Sequence, residues 1–304
     1  MLDEESIKTF MHVAQTGSFS RAAEMLHKTP ATISYRIKML EDSAGTLLLN
    51  RTTRTVSLTP AGQHLLERCR QWLTWLEGVP AELQQINDGI ERQLNVVVNN
   101  LMYCPETLAA LLSCLTQRYP FTQFTFTRQI YMGVWDTLLY EDFQLAIGVT
   151  GTESLSNAVN LLPLGEVDWI FVHAPFHPLQ HITGMLEEAV LRQYIAINVE
   201  DTSRHLNKRV AWLLTGQRQI IVADVATKLA CHLKGMGIGF LPRHLCQPYL
   251  DSGELIARQI RYPRAPSPLS LAWKKEYTGK ALHDIVSLFH QKDPLIQPLL
   301  AGLE

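Results

Sequence analysis

Cysteine is scarce in this chain and poorly placed for a scaffold role. Five cysteines (69, 104, 114, 231 and 246) lie scattered over 304 residues, odd in number and with no CxxC pair. That argues against a disulfide framework or a zinc site and suits reduced thiols. An excess of either charge is also missing. With 27 Lys and Arg against 29 Asp and Glu the net charge is −2, so the chain is no polycation that coats nucleic acid, although a local basic patch stays open. No run approaches 18 apolar residues without a charge, so no membrane-spanning helix is expected. The opening MLDEESIKTF is acidic and has no long apolar run, unlike a signal peptide. These absences lead to the expectation of a soluble, cytoplasmic protein that needs no membrane. What is present is core material: 46% of residues are hydrophobic and 18% charged, enough for two or three globular domains.

The first sixty residues carry helical periodicity. Ile7, Phe10, Met11 and Ala14 recur at i, i+3, i+4 and i+7, and Gly17 ends that stretch. Ser18 is placed to cap a second helix whose inner face holds Phe19, Ala22, Ala23 and Leu26. Thr29 caps a third, with Pro30 at its first position, where a missing N–H costs nothing. Ile33, Ile37 and Leu40 form the buried stripe of that third helix. Its opposite face shows Ala31, Ser34, Tyr35 and Lys38, flanked by Thr32 and Met39. A small, hydroxylic and basic face on the second of two closely joined helices fits a recognition helix that enters the major groove. An ordinary three-helix bundle with a solvated face fits the spacing too.

Leu47 to Thr59 follows as a short hairpin, or wing, with Arg51 and Arg54 near its tip. From Ser18 to Arg54 there are six Lys or Arg and three Asp or Glu, a local +3. Next, Leu65, Cys69, Trp72, Leu76, Val79, Leu83, Ile86 and Ile90 are spaced 4, 3, 4, 3, 4, 3, 4. That is an a/d seam, suited to pairing with a second helix or to packing on its own domain. Pro80 predicts a kink.

From Arg92 onward, strands and helices alternate. The expected pieces are a strand at 92–100, a helix at 108–119, a strand at 121–129, a helix at 132–140 and strands at 144–149, 169–173, 194–198, 219–223 and 269–273. This reads as an α/β fold with mostly parallel sheets. Three polar strand-end loops offer ligand donors: Asn99 to Met102, Gly148 to Gly151, and Glu200 to Ser203. Asn100, Met102, Tyr131, Val149, Thr150, Asp201, Thr202 and Ser203 are the candidate ligand residues, and simple helix capping is the alternative for any one of them. Gly235-Met236-Gly237-Ile238-Gly239 fails both phosphate-loop spacings and reads as structural. His173, His177 and His181 are interrupted by Pro175 and Pro178, which argues against a metal-binding helix. Asp201, Ser203 and His205 lie close in sequence without a nucleophile elbow, so no hydrolase and no cofactor is expected.

Three ordered runs carry a resemblance. They are Gly17-Ser18-Phe19-Ser20-x-Ala22-Ala23-x-x-Leu26, Ile33-Ser34-x-x-Ile37-x-x-Leu40-Glu41, and Arg51-x-x-Arg54-x-x-x-Leu58-Thr59-x-Ala61-Gly62. Together they resemble the DNA-binding domain of LysR-type transcriptional regulators. Two departures occur: Pro30-Ala31 stands where the family has Gln-Pro, and Leu48-Leu49 where it has Leu-Phe, so base preferences do not carry over. The runs at 118–124, 128–136, 145–153, 208–214 and 266–273 are similar to the subgroup that contains the allantoin-utilisation activator of enteric bacteria. The resemblance implies a winged helix-turn-helix over 1–60, a linker dimerisation helix over 61–90 and a periplasmic-binding-protein-like effector domain over 91–304. Lobe I of that domain would be about 91–162 and 268–304, and lobe II about 163–267.

In functional terms it implies a non-enzymatic, ligand-responsive regulator, an activator of purine or allantoin nitrogen catabolism; the same fold with another inducer and regulon is the alternative, and a small-molecule-binding protein without DNA function a more distant one. Its partners would be an operator duplex, a small polar effector such as a purine-degradation product, itself as a dimer or dimer of dimers, and RNA polymerase. Ser18, Ser20, Thr29, Pro30, Ala31, Thr32, Ser34, Tyr35, Arg36, Lys38, Arg51 and Arg54 would meet DNA, and the seam from Leu65 to Ile86 would dimerise.

Overall fold

A computed structural model describes residues 3–51, 56–151, 153–209 and 212–303. The chain divides into two compact units, residues 1–84 and 85–304.

In the first unit, Asp3 accepts from the backbone N–H of Ser6 and opens α1 (Glu4–Thr16); Gly17, at φ 63°, closes it. Ser18 caps α2 (Phe19–Met25) and Thr29 caps α3 (Pro30–Ala44), as their side-chain chemistry predicts. Phe10, Val13, Ala22, Ala23, Ile33, Ile37 and Leu40 make one core. A two-stranded antiparallel wing follows, β1 (Leu49–Arg51) with β2 (Val56–Leu58), Leu49 opposite Leu58. Arg54 falls outside the described residues.

The long helix α4 (Pro60–Asn87) runs unbroken through Pro80. Its start is tight against the wing: a methyl group on Gly62 would sit 2.0 Å from the Leu48 carbonyl oxygen, so only glycine fits there. Leu66 and Cys69 of α4 complete the first unit's core. Two positions of the expected seam therefore need correcting. Cys69 is buried on its own domain, and Ile90 lies beyond the helix end, packed on the core of the second unit.

The second unit has two lobes. Lobe I contains β3 (Gln93–Asn99), α5 (Pro105–Arg118), β4 (Gln123–Gln129), α6 (Met132–Tyr140), β5 (Leu145–Thr150) and β6 (Val159–Val167). Asp168 alone separates β6 from β7 (Trp169–His173), which opens lobe II. That lobe continues with α7 (Glu188–Leu191), β8 (Ala196–Val199), β9 (Gln219–Val222), α8 (Val225–Leu233), β10 (Gly239–Pro242), α9 (Arg243–Asp251) and β11 (Ile256–Ala257). The chain then returns to lobe I through β12 (Ser267–Lys274), α10 (Lys280–Gln291) and α11 (Gln297–Leu300). Two crossings between lobes give the periplasmic-binding-protein-like plan.

The lobe I sheet has the order β4-β3-β5-β12-β6. Its β3 strand carries three successive valines, Val96 to Val98, because both of its faces are covered. Val96 and Val98 join the core built with α5 and α10, while Val97 joins Trp135 and Leu138 of α6. The expectation of mostly parallel sheets is wrong. β3 pairs in parallel with β4 and β5, and β8 with β9, but β12 runs antiparallel to β5 and β6, and β7 antiparallel to β10 and β11. The antiparallel pairs arise where the chain crosses lobes and comes back, a long-range event that local alternation of strand and helix cannot encode.

Candidate DNA interface and effector cleft

On α3 the two faces separate as the wheel predicts. Ile33 and Ile37 are fully buried, while Tyr35 is 65% exposed and Ala31 and Lys38 stand beside it in the open. Ser34 and Thr32 are half-buried on the flank of that face, and Pro30 and Ser20 are exposed. Some candidates are already engaged. Ser18 and Thr29 spend their hydroxyls as caps, and Thr29 and Thr32 share a 2.9 Å hydroxyl contact. Arg36 does not stand free on the exposed face of α3: its guanidinium turns to Glu5 of α1 at 2.7 Å.

Arg51 is likewise tied down. It pairs with Glu41 at 2.8 Å and lies over the Phe19 ring, 4.9 Å from its centroid. Glu41 is 6% exposed and also accepts the backbone N–H of Leu48 and of Leu49, at 2.9 and 3.1 Å. One carboxylate thus holds the end of α3, the wing strand and the wing's arginine together. Sequence reasoning assigned Glu41 no role, although an acidic residue directly after a buried stripe was the available signal.

From Trp72 onward the α4 seam is largely uncovered: Trp72 is 38% exposed, Leu83 60% and Ile86 39%, with Leu76 and Val79 half-buried. Trp75, outside the predicted seam, is 60% exposed.

Between the lobes of the second unit lies a narrow cavity lined by Asn99, Asn100, Tyr131, Trp169, Lys228 and Phe240, among others. It opens beside a cleft of about 350 Å³ that shares Tyr131 and Phe240 and adds Trp212, Tyr262 and Arg264. Asn99 is buried and fixed, donating to the Gly148 carbonyl at 2.6 Å and accepting from the Leu101 N–H. Tyr131 holds φ 49° and ψ −121°, a conformation costly for any residue but glycine, and strain of this kind gathers at ligand sites.

The other expected ligand residues are occupied elsewhere. Asp201 accepts from the backbone N–H of Met132, Gly133, Ser203 and Arg209. Thr202 accepts from the N–H of Ile130, and Ser203 donates to Asp136 at 2.7 Å. Asp136 is 3% exposed and further accepts from the backbone N–H of Arg204, His205 and Leu206 and pairs with the His205 ring. Burial alone would raise its pKa, but the hydrogen bonds from His205, Ser203 and Arg204 outweigh it and hold the carboxyl well below the usual range. The 201–206 loop is therefore a latch fastening lobe II to α6, and its polar groups do not face the cavity. Met102 and Val149 are core residues, Met102 packed against Gly148. Thr150 contacts the Met132 sulfur and lines neither the cavity nor the cleft. Gly237 approaches the Ile195 carbonyl so closely that a methyl group would lie 2.4 Å from it, consistent with a structural turn.

Lys228 was not anticipated. It lies on the inward stripe of α8 with Val225, Leu229 and His232, and a lysine within an apolar i, i+3, i+4, i+7 stripe was its sequence signal.

Residues 5–63 match the bacterial regulatory helix-turn-helix protein, lysR family, and residues 87–293 match the LysR substrate binding domain. The chain belongs to the LysR family. It is 60% identical over 301 residues to the HTH-type transcriptional activator AllS of Salmonella typhimurium, covering 99% of this chain and 98% of the relative. It is 63% identical over 261 residues to AllS of Klebsiella pneumoniae, covering 86% and 97%. Among solved structures, the Corynebacterium glutamicum OxyR C206 mutant shares the fold, with a TM-score of 0.58 at 19% identity, covering 98% of this chain and 94% of that one. As a LysR-type protein the chain is a DNA-binding transcriptional regulator and not an enzyme. Its first unit carries the helix-turn-helix and its second the effector-binding domain. Among the described residues no helix is long and apolar enough to cross a membrane.

Proposed function

We propose that this LysR-type regulator is a cytoplasmic activator of purine or allantoin nitrogen catabolism. It binds a two-fold operator as a homodimer, or as a dimer of dimers, and answers to a small polar molecule seated between the lobes. The observation that carries the DNA half is the exposed Ala31–Tyr35–Lys38 face of α3, backed by a fully buried opposite face. Ser20, Pro30, Thr32 and Ser34 border that face, and Ser18 and Thr29 position it through their caps. Arg51 supports the wing, and Arg54 is the wing cation assigned to phosphate. The assignment of regulon is supported by the runs similar to the allantoin-utilisation subgroup and by relatives named as transcriptional activators. Activation calls for a contact with RNA polymerase, which belongs to this reading as well.

The dimer would pair through Trp72, Leu76, Val79, Leu83 and Ile86, with Leu65 supporting the seam from its own domain. The effector would contact Asn100 and Tyr131 in the cavity, where the strained backbone of Tyr131 is the supporting observation. Operator footprinting with the full chain tests the reading. Tyr35→Ala should lose about 1–3 kcal/mol of specific binding, the worth of a good base contact. Paired charged substitutions at Leu76 and Leu83 should split the assembly. Wild-type footprints from Tyr35→Ala, or an unchanged sedimentation coefficient in the double variant, would refute the corresponding half.

A further inference from the structure

We propose that the effector is a small carboxylate and that Lys228 pairs with its charge. This rests on the reading of the inter-lobe cleft as the effector site, and adds the chemical class of the ligand.

Lys228 is 5% exposed, yet it lines the cavity together with Asn99, Asn100 and Tyr131. It comes from α8 of lobe II, and those three come from lobe I. A ligand paired with its ammonium therefore bridges the lobes, which is the geometry a two-state sensor needs. Among the described residues no hydrogen bond or ion pair reaches that ammonium. An isolated buried cation is costly, and the cost is relieved either by shedding the proton or by gaining a counter-ion.

The surroundings supply no counter-ion. Among the described residues no Asp or Glu lines the cavity or the adjoining cleft. Of the titratable groups nearby, His232 and Cys246 act on Lys228 directly, and His177 and His173 lie close to His232. Burial keeps all four uncharged near neutral pH: it pushes His232 to about 3 and His177 to about 4, lowers His173, and raises the Cys246 thiol to about 12. Arg264 adds a second positive charge, its guanidinium 3.5 Å above the Trp169 ring. Burial, with Arg264 next in effect, pushes Lys228 itself down to about 7, so a carboxylate arriving at neutral pH would restore its proton.

Shape agrees with charge. The inner cavity, about 10 Å³, has room for roughly one water-sized group. The adjoining cleft is about 350 Å³ and walled by Trp212, Phe240 and Tyr262. A carboxylate oxygen fits the first and the body of a small planar ligand the second.

The test is calorimetric titration and thermal shift of the full chain with glyoxylate, oxamate and allantoate, beside the neutral oxamide and allantoin. At least one carboxylate should bind and raise the unfolding temperature, and its affinity should fall as pH rises from 6.5 to 8.5, because the ammonium loses its proton. Lys228→Met should weaken that carboxylate at least tenfold and abolish the pH dependence. Its own unfolding temperature should not fall below that of wild type, because an uncompensated buried charge has been removed, so lost binding cannot be put down to misfolding. Carboxylate affinity within twofold of wild type in Lys228→Met would overturn the inference. So would equal binding of a neutral probe by both proteins, which would leave the cleft as the effector site. Failure of every probe to bind, with no change in operator footprint, would overturn the effector reading itself.

Discussion

Replacing Glu41 by alanine should uncouple the wing from the recognition helix, and the size of the effect follows from its partners. The carboxylate is 6% exposed and accepts the N–H of Leu48 at 2.9 Å, the N–H of Leu49 at 3.1 Å and the Arg51 guanidinium at 2.8 Å. Leu48 and Leu49 are each 2% exposed, so water cannot readily replace the lost acceptor. A buried donor left without a partner costs ~1–3 kcal/mol. Two such donors, with the Arg51 pair lost as well, bring the expected destabilisation to roughly 2–6 kcal/mol. That is a large share of the ~5–15 kcal/mol that holds a typical domain together. Glu41→Gln keeps one oxygen as acceptor for both N–H groups and loses only the charge, so it should cost about 1–2 kcal/mol. Amide hydrogen exchange by mass spectrometry on the full chain reads this locally. Protection over 47–51 should collapse in Glu41→Ala, persist in Glu41→Gln, and stay unaltered in the second unit. Equal protection in wild type and Glu41→Ala, or equal loss in both variants, would refute the assignment of the carboxylate as the acceptor that anchors the wing.

Other outcomes follow from single contacts. Gly62→Ala should lower the unfolding temperature of the first unit measurably, since the new methyl group meets a backbone oxygen that cannot swing aside; differential scanning calorimetry checks this. Asp136 has a depressed carboxyl pKa, so its contribution to stability is present above its ordinary value of 3.8 and is lost as pH falls below that point. Asp136→Asn should flatten the acid limb of the stability profile and free the 203–206 loop to proteolysis. Lys228 carries the opposite sign. Its folded pKa of about 7 lies below its ordinary 10.5, so the unfolded chain binds more protons between those values and stability should rise with pH across that window. Lys228→Met should remove that rise in urea titrations run from pH 7 to 10.

The recognition helix was legible in the sequence because everything that makes it is local. Thr29 and Pro30 open it, Ile33, Ile37 and Leu40 set its inner face, and the remaining positions must look outward. The β3 valines were legible for a related reason: a strand covered on both sides needs apolar residues at successive positions, and that pattern survives without knowing the covers. Tertiary structure decided which polar residues were free. Asp201, Thr202 and Ser203 look like ligand donors in one dimension, but Asp201 and Thr202 meet the backbone at Ile130 to Gly133, and Ser203 meets Asp136, partners 67 to 72 residues away that engage their polar groups. Arg36 and Arg51 look like phosphate contacts until Glu5 and Glu41 are folded against them. Lys228 looks like a surface lysine on an otherwise unremarked helix, and only the approach of lobe I turns it into a buried, unpaired charge at the cavity wall. Hydrophobic periodicity is written residue by residue along the chain, whereas the satisfaction of a polar group depends on which distant segment arrives beside it.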